Sequence, residues 1–187
     1  RYACSWFSAV PTQYAYILNN DAPVGDLSHL RFARSASAPL SPDIHRRFEE
    51  RFKVPIIETM GLTETGSQIT TNPLPPAERK IGSPGAAYGN EIMVADAEFA
   101  AVPTGQTGEI LVRGKNVMQG YFKQPEETAK TITKDGWLRT GDLGYMDEEG
   151  FIYVSGRIKE LIIKGGENIA PREIDEALLE HPRSEEH

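Results

Sequence analysis

The most restrictive feature of this sequence is an amphipathic pattern that leads straight into an apolar segment. Ile44, Phe48 and Phe52 recur every four residues after Ser41-Pro42, which predicts a helix with Ser41 as N-cap and proline in its first turn. Val54–Ile57 follows at once and predicts a buried strand. A helix that leads into a buried strand is the repeating unit of an α/β layer, so the first part of the chain is predicted to form one.

The second part of the chain shows a different pattern, in which glycine and proline separate short apolar runs. Glu91–Val94 and Glu109–Val112 are such runs, and they predict antiparallel strands with tight turns after Gly82. Asp147-Glu148-Glu149-Gly150 predicts the turn of a hairpin. The remaining predicted elements are a helix at Thr12–Leu18, hairpin strands at Leu143–Met146 and Phe151–Val154, a short helix from Gln124-Pro125 to Ile132, a strand at Glu160–Ile163, and a last helix from Pro171 with Ile174, Ala177 and Leu178 inward.

The charge balance and the cysteine content exclude several classes of protein. The chain has 27 acidic residues against 20 Lys and Arg, a net charge of −7, and no basic stretch, so we expect no binding to nucleic acid or to an anionic membrane. Cys4 is its single cysteine, which excludes an internal disulfide and a multi-cysteine metal site. No apolar run approaches the roughly 20 residues of a transmembrane helix, and residues 1–9 lack a signal-peptide core. We therefore expect a cytoplasmic protein, whose oligomeric state the sequence does not indicate.

A glycine- and threonine-rich segment follows the predicted Val54–Ile57 strand. In Gly61-Leu62-Thr63-Glu64-Thr65-Gly66, glycine lets the backbone approach a ligand, threonine can donate to phosphate, and Glu64 can hold a divalent cation. The segment therefore fits a phosphorylated ligand. The alternative is a capped helix start, in which Thr63 or Thr65 satisfies free backbone amides.

Two polar side chains farther along the chain could complete such a site. Asp142 ends the strand-like run Trp137-Leu138-Arg139-Thr140-Gly141-Asp142, where a carboxylate is well placed to accept both hydroxyls of a ribose. Arg157 could reach phosphate or ribose, and Gly165-Gly166 predicts a loop that a ligand can approach. Each also has a plain structural explanation, with Asp142 as a turn residue and Arg157 in a surface salt bridge.

These segments occur with others in a recognisable order. They are Ser35-Ala36-Ser37-Ala38-Pro39-Leu40, Met60-Gly61-Leu62-Thr63-Glu64, Gly108-Glu109-Ile110-Leu111-Val112-Arg113-Gly114, Gly120-Tyr121, Pro125-Glu126, Thr140-Gly141-Asp142, Gly156-Arg157-Ile158-Lys159, and Gly165-Gly166-Glu167-Asn168 with Pro171 and Glu173. The combination closely resembles the adenylate-forming superfamily of acyl-coenzyme A synthetases, nonribosomal-peptide adenylation domains and luciferases. The resemblance implies an α/β fold: the C-terminal part of a large AMP-binding domain with a β-rich subdomain over residues 1–157, then the hinge and truncated start of a small C-terminal domain over residues 158–187.

The resemblance also implies an activity. Enzymes of this kind use ATP and Mg²⁺ to convert a carboxylic acid to acyl-AMP with release of pyrophosphate, and usually pass the acyl group to the thiol of coenzyme A. Because the carboxylate attacks the α-phosphorus in line, catalysis would rest mainly on positioning and charge neutralisation. The implied contacts are the backbone of Ser37, Ala38 and Pro39 with Met60 and Gly61 for adenine, Thr63 for the α-phosphate, Glu64 for Mg²⁺, and Asp142 with Arg157 for the ribose. Met60 departs from the family, which often has an aromatic residue there, but a thioether can also pack on the ring.

Further positions match the family at the start of its small domain. Lys159 matches the hinge, where backbone freedom matters more than charge. Gly165 and Gly166 would border the path of the coenzyme A pantetheine. By the same resemblance, a lysine-bearing phosphate loop would lie upstream of Arg1 and a late catalytic lysine beyond His187. We therefore expect the chain to be a piece of a larger protein that holds half of an active site.

The substrate is indicated only in part. Arg34–Pro39 with Thr71-Asn72-Pro73-Leu74-Pro75 looks most like the branch that includes oxalate–CoA ligases. Candidates for the acyl pocket are Trp6, Phe7 and Gly66-Ser67-Gln68, although Trp6 and Phe7 are also typical core residues. Two alternatives stay open: an adenylation domain that loads a carrier protein, and a catalytically idle nucleotide-binding or interaction module.

Overall fold

The computed structural model describes residues 4–164, 167–171, 174, 177 and 178, and a five-stranded sheet forms its first part. Three parallel strands begin this sheet, β1 (Trp6–Ala9), β2 (Phe32–Ser35) and β3 (Ile56–Leu62). Two antiparallel strands, β4 (Ser67–Thr71) and β5 (Ala86–Ala87), complete it in sequential order. The helices α1 (Pro11–Leu18) and α2 (Pro42–Phe52) lie in the crossovers between the parallel strands. The predicted α/β layer is thereby confirmed.

Aromatic and branched side chains pack the two helices on the parallel strands. Tyr14 of α1 and Phe48 of α2 are buried and meet edge to face, with ring centroids 5.0 Å apart. Ile44 and Phe48 occupy the buried face of α2, as their spacing predicts. Ser41 was expected to cap this helix with its side chain, but that side chain makes no cap hydrogen bond. Pro42 nevertheless begins the helix, because its fixed φ suits the first turn.

Strand β3 continues well past the predicted Val54–Ile57 segment. Its second half, Thr59–Leu62, pairs antiparallel with β4. This pairing keeps the backbone extended through Gly61, where the sequence predicted a turn. The turn occurs only at Thr63–Thr65, as a single turn of 3-10 helix.

The second part of the chain forms a four-stranded antiparallel sheet in sequential order, as its glycine-punctuated pattern predicts. Its strands are β6 (Glu91–Ala95), β7 (Gly108–Arg113), β8 (Leu138–Met146) and β9 (Ile152–Arg157), and the short helix α3 (Pro125–Thr131) lies between β7 and β8. The predicted hairpin is confirmed. Its turn is held by Asp147, whose Oδ1 accepts hydrogen bonds from the amides of Glu149 and Phe151. Val94, Ile110 and Ile152 form the buried centre of this sheet.

The segment between β4 and β5 contacts the β8–β9 hairpin of the second sheet. The Ser83 hydroxyl donates to the carbonyl of Ile152, whose amide donates to the carbonyl of Gly85 at 3.0 Å. Lys80 Nζ lies 2.7 Å from Asp147 Oδ2 in the hairpin turn. Gly85 has a φ of +95°, and a Cβ there would lie 1.9 Å from the carbonyl carbon of Thr71, so this close approach requires glycine. These contacts hold the two sheets beside each other, with a cleft between them.

The end of the described chain differs in detail from the prediction. The strand predicted at Glu160–Ile163 is instead a turn of 3-10 helix at Ile158–Glu160 followed by β10 (Ile162–Lys164), which pairs antiparallel with β11 (Glu167–Ile169). Pro171, Ile174, Ala177 and Leu178 are helical, but the last three are exposed rather than inward, Ile174 at 43% and Leu178 at 57%. No helix in the described part of the chain is long and apolar enough to cross a membrane.

Candidate functional site

A cavity lies in the cleft between the two sheets. Its volume is about 520 Å³, within the range of small-molecule sites. One wall comes from the loop after β2 and from β3, and the facing wall from β8, β9 and the residues after them. The residues that line it include Ser37, Ala38, Pro39, Leu40, Glu58, Met60, Gly61, Leu62, Asp142, Gly156, Arg157, Glu160 and Pro171.

The loop after β2 presents backbone to the cavity. Ser37 has a φ of +80°, a left-handed conformation that is uncommon for a residue with a side chain. Ser37, Ala38 and Pro39 are exposed, while Leu40 behind them is fully buried. This loop can therefore contact a flat ring placed in the cleft.

Glu58 is a lining residue that sequence reasoning missed. It lies on β3, is 2% exposed, and its Oε1 accepts a hydrogen bond of 3.1 Å from the Leu40 amide. This bond ties the Ser37–Pro39 loop to the strand beneath it. The available signal was an acidic residue directly after the apolar Val54–Ile57 run, because a buried carboxylate requires partners.

Met60 and Gly61 line the same wall at a break in strand pairing. The register between β3 and β4 shifts between these two residues. A Cβ on Gly61 would lie 2.0 Å from the Ser67 carbonyl oxygen, so only glycine permits this approach. Met60 is half-buried and remains available to pack on a planar ligand.

Thr63 and Glu64 lie beside the cavity, directly after its lining residues, and do not themselves line it. The Tyr121 hydroxyl donates to Glu64 Oε1 at 2.9 Å, and the Met118 amide donates to the Glu64 carbonyl at 2.7 Å. The hydrogen bond that the Tyr121 hydroxyl donates to the Glu64 carboxylate raises the pKa of Tyr121. The capped-turn explanation holds for Thr65, since its hydroxyl accepts from the Leu62 amide and donates to the Leu62 carbonyl.

Asp142 and Arg157 form the centre of the facing wall. They are directly opposite each other on β8 and β9, and Arg157 Nε donates to Asp142 Oδ1 at 2.9 Å. Asp142 is 6% exposed, whereas the Arg157 side chain is 55% exposed. Burial raises the pKa of Asp142, and the Arg157 guanidinium offsets only part of this effect.

The observed setting of Asp142 corrects the sequence prediction. Asp142 lies inside the nine-residue strand β8 rather than after a strand. It is not a turn residue, because its partner is Arg157 on the neighbouring strand. The pair is not an ordinary surface salt bridge, because only the arginine is exposed to solvent and the carboxylate is buried.

The other predicted site residues lie elsewhere. Trp6 is 48% exposed and stacks on Phe32, and Phe7 packs with the core around Phe48, so neither lines the cavity. Lys159 is exposed on the 3-10 turn after β9. Gly66 ends the 3-10 turn, while Ser67 and Gln68 begin β4 and pair with Leu62 and Gly61, and none of the three lines the cavity. Gly165 and Gly166 fall outside the described residues.

The residues beside the cavity suit a magnesium ion that is shared with a ligand. Within the described residues, no three His, Cys, Asp or Glu side chains come together as a metal cage. Mg²⁺ commonly binds through one or two carboxylates together with substrate phosphates and water. Glu64 is half-buried and is oriented by Tyr121, which fits a single protein ligand of that kind.

Comparison with known proteins identifies the family. The family model described as AMP-binding enzyme matches residues 1–122. The chain belongs to the AMP-binding enzyme family. The fold agrees, since ATP-bound MatB from Rhodopseudomonas palustris superimposes with a TM-score of 0.90 at 36% identity, covering 95% of this chain and 36% of that one. The O-succinylbenzoate coenzyme A synthetase MenE from Bacillus subtilis, in complex with ATP and magnesium ion, gives 0.82 at 35% identity, covering 96% and 37%.

Relatives of this AMP-binding chain include several coenzyme A ligases. A sulfoacetate–CoA ligase of Cupriavidus necator is 55% identical over 185 residues, covering 97% of this chain and 36% of that protein. An oxalate–CoA ligase of Saccharomyces cerevisiae is 42% identical over 187 residues, covering 100% and 34%. The chain thus spans about a third of the length of these relatives.

Proposed function

We propose that this chain forms the adenosine- and magnesium-binding part of an ATP-dependent acid–CoA ligase. The observation that carries the proposal is the convergence of the Ser37–Pro39 backbone, Met60, Asp142 and Arg157 on one cavity in a member of the AMP-binding family. In the reaction, a carboxylate oxygen attacks the α-phosphorus of ATP and pyrophosphate leaves. The thiol sulfur of coenzyme A then attacks the acyl carbon, loses its proton and displaces AMP.

The proposed nucleotide contacts follow from the two walls. Adenine enters between the Ser37–Pro39 backbone and Met60, with Gly61 allowing close approach. The ionised Asp142 accepts hydrogen bonds from both ribose hydroxyls, and Arg157 holds that carboxylate in place and adds positive charge beside the phosphates. This arrangement uses the burial of Asp142 as well as its charge, because a hydrogen bond to a buried carboxylate is worth more than one in water.

Residues beside the cavity are proposed to meet the phosphates. The exposed Thr63 hydroxyl donates to the α-phosphate, and Glu64 holds Mg²⁺, with Tyr121 orienting the carboxylate. The magnesium ion supplies neutralisation of the charge on the phosphates. Lys159 is the proposed hinge between a large domain ending at residue 157 and a small domain beginning at 158, and Gly165-Gly166 borders the pantetheine path.

The substrate is proposed to be a short carboxylic acid with a second anionic group. Two relatives are named as ligases of sulfoacetate and oxalate, both small dianions, and this agrees with the sequence resemblance to the oxalate–CoA branch. Coenzyme A is the proposed acceptor because these relatives are all named as CoA ligases, which disfavours a carrier protein. We place the enzyme in the cytoplasm, where ATP and coenzyme A are available.

Exchange of labelled pyrophosphate into ATP tests the first half-reaction. The complete polypeptide that carries this chain is assayed with oxalate, sulfoacetate, acetate, benzoate and a medium-chain fatty acid. We expect exchange that depends on Mg²⁺ and is strongest with oxalate or sulfoacetate, followed by thioester formation when coenzyme A is added. Exchange with benzoate or the fatty acid alone would overturn the proposed substrate class. ATP binding with no exchange for any acid would favour the idle module, and transfer only to a phosphopantetheinylated protein would overturn coenzyme A as acceptor.

A further inference from the structure

A further buried carboxylate lies behind the cavity wall. Glu109 on β7 is 6% exposed, does not line the cavity, and has no role in the function proposed above. Its Oε1 accepts a hydrogen bond of 3.2 Å from the amide of Gly141. Its Oε2 accepts bonds of 3.1 and 2.9 Å from Nε and Nη2 of Arg139. The carboxylate therefore binds two positions of β8 that precede Asp142.

Those positions lie in a bulge of β8. Glu109 is opposite Leu143, and Leu111 is opposite Arg139, so the single residue Ile110 on β7 faces three residues on β8, namely 140, 141 and 142. Strand bulges interrupt the regular ladder of hydrogen bonds and redirect side chains, often beside active sites. Here the bulge determines where Asp142 lies relative to the cavity.

Side chains replace the missing ladder bonds at this bulge. The Thr140 hydroxyl donates to the Ile110 carbonyl at 2.8 Å and accepts from the Asp142 amide at 3.0 Å. Glu109 accepts the Gly141 amide, where the backbone takes a φ of +73°. A buried amide without an acceptor is costly, so the bulge depends on these substitutes.

We propose that Glu109 is a positioning residue for ribose recognition, because its carboxylate holds the bulge that directs Asp142 towards Arg157 and the cavity. Arg139, which is 30 residues from Glu109 in the sequence, neutralises the Glu109 carboxylate and so allows it to remain buried. The inference rests on the proposed function only in taking Asp142 as the group that binds the ribose hydroxyls.

Discrimination between ATP and 2′-deoxy-ATP tests this role. In the complete polypeptide, kcat/KM for pyrophosphate exchange is measured with each nucleotide. We expect Glu109→Ala to lower the preference for ATP about 10-fold and to leave the KM for the acid unchanged, since only ribose recognition is disturbed. Glu109→Gln can accept from Gly141 or Arg139 but not from both as the carboxylate does, so we expect a smaller loss, about 3-fold.

Matched controls separate positioning from general destabilisation. Glu91→Ala removes another cross-strand Glu–Arg pair, Glu91 with Arg113 on β6 and β7, which is exposed and lies away from the bulge, and we expect it to keep the full preference for ATP. Asp142→Ala should abolish the preference, and adding Glu109→Ala to it should cause no further loss.

Different results would contradict the positioning role of Glu109 and the ribose contact of Asp142. Unchanged discrimination in both Glu109 variants would overturn the positioning role, and if Glu109→Ala does not fold, Glu109→Gln decides alone. Equal activity of the unsubstituted protein with ATP and 2′-deoxy-ATP, or unchanged discrimination in Asp142→Ala, would instead overturn the proposed ribose contact. The two failures are thus distinguishable.

Discussion

At the scale of single residues, the buried Asp142 and the half-buried Glu49 differ in what surrounds their carboxylates. Asp142 is desolvated and has one charged partner, Arg157, whereas Glu49 has several hydrogen-bond donors. As a result the pKa of Asp142 is raised, because burial outweighs the arginine. In Glu49 burial also acts to raise the pKa, but hydrogen bonds from His45, Arg79 and the Ile56 amide outweigh it and lower that pKa to about 2.

The raised pKa of Asp142 predicts a pH dependence of nucleotide binding. Protonation removes the charge that accepts the ribose hydroxyls, so the KM for ATP should rise as the pH falls, beginning at a higher pH than an exposed aspartate would give. Asp142→Ala should raise the KM for ATP by about 10-fold or more at neutral pH and abolish this dependence. The measurement is the KM for ATP between pH 8 and pH 5, with the exposed Asp135→Ala as control. A profile unchanged by Asp142→Ala would remove this residue from the site.

Glu49, whose pKa is shifted in the opposite direction, predicts a dependence of stability on pH. Its folded pKa is depressed, so its contribution is complete above the ordinary value of 4.5 and is lost as the pH falls towards about 2. Glu49→Gln should therefore lower the free energy of unfolding by about 2–3 kcal/mol at pH 7 and flatten its pH dependence below 4.5. Denaturant unfolding from pH 7 to pH 2 measures both, with the neighbouring exposed Glu50→Gln as control. Equal losses in the two variants would contradict this account.

At the scale of strands and loops, the β3–β4 pair depends on one glycine. A Cβ on Gly61 would overlap the Ser67 carbonyl, and backbone cannot yield as a flexible side chain can. Gly61→Ala should therefore separate these strands, with a loss of about 2 kcal/mol or more in unfolding free energy and a higher KM for ATP. Denaturant unfolding and ATP kinetics measure the two effects. Gly25→Ala, where a Cβ meets nothing within 4 Å, should leave both unchanged, and a fully stable Gly61→Ala would contradict the predicted overlap.

The elements also show what sequence patterns can predict. The buried face of α2 and the Asp147 hairpin were predictable because each rests on local spacing or turn chemistry. The position of Asp142 was not, because it depends on a bulge in β8 and on the pairing of β8 with β9. The register between two paired strands produces no local pattern of apolar residues in the sequence. Family motifs identified the residue, and only the fold shows that Arg157 is its partner.

Sequence reasoning missed the hydrogen-bond partners of two buried carboxylates for the same reason. Glu58 and Glu109 are acidic residues within largely buried strands, and each accepts hydrogen bonds from groups distant in sequence, the Leu40 amide and Arg139 respectively. Glu109 was noticed only as part of a motif. A single acidic residue in a predicted buried strand therefore indicates a long-range contact, because its carboxylate must be paired or hydrogen-bonded to remain buried.

At the scale of the whole molecule, the cavity joins two sheets and the segment that follows them. Asp142 and Arg157 belong to the second sheet, while Glu160 and Pro171, which also line the cavity, lie after β9. Lys159 lies between these groups on an exposed 3-10 turn. A rotation of the chain at Lys159 would therefore move one part of the cavity wall and leave the Asp142–Arg157 pair in place. Such a rotation needs free backbone dihedrals at this position, and the charge of the lysine is not needed for it.

This separation predicts different effects on the two half-reactions. Lys159→Pro fixes φ at the proposed hinge, so it should spare pyrophosphate exchange and slow thioester formation at least 10-fold. Lys159→Ala removes the charge but keeps the backbone freedom, and should leave both rates near those of the unsubstituted protein. Single-turnover measurement of acyl-AMP formation and of acyl-CoA formation in the complete polypeptide gives the two rates. Equal slowing of both steps by Lys159→Pro would contradict the hinge, because a purely local distortion of the cavity wall would impair adenylation as well.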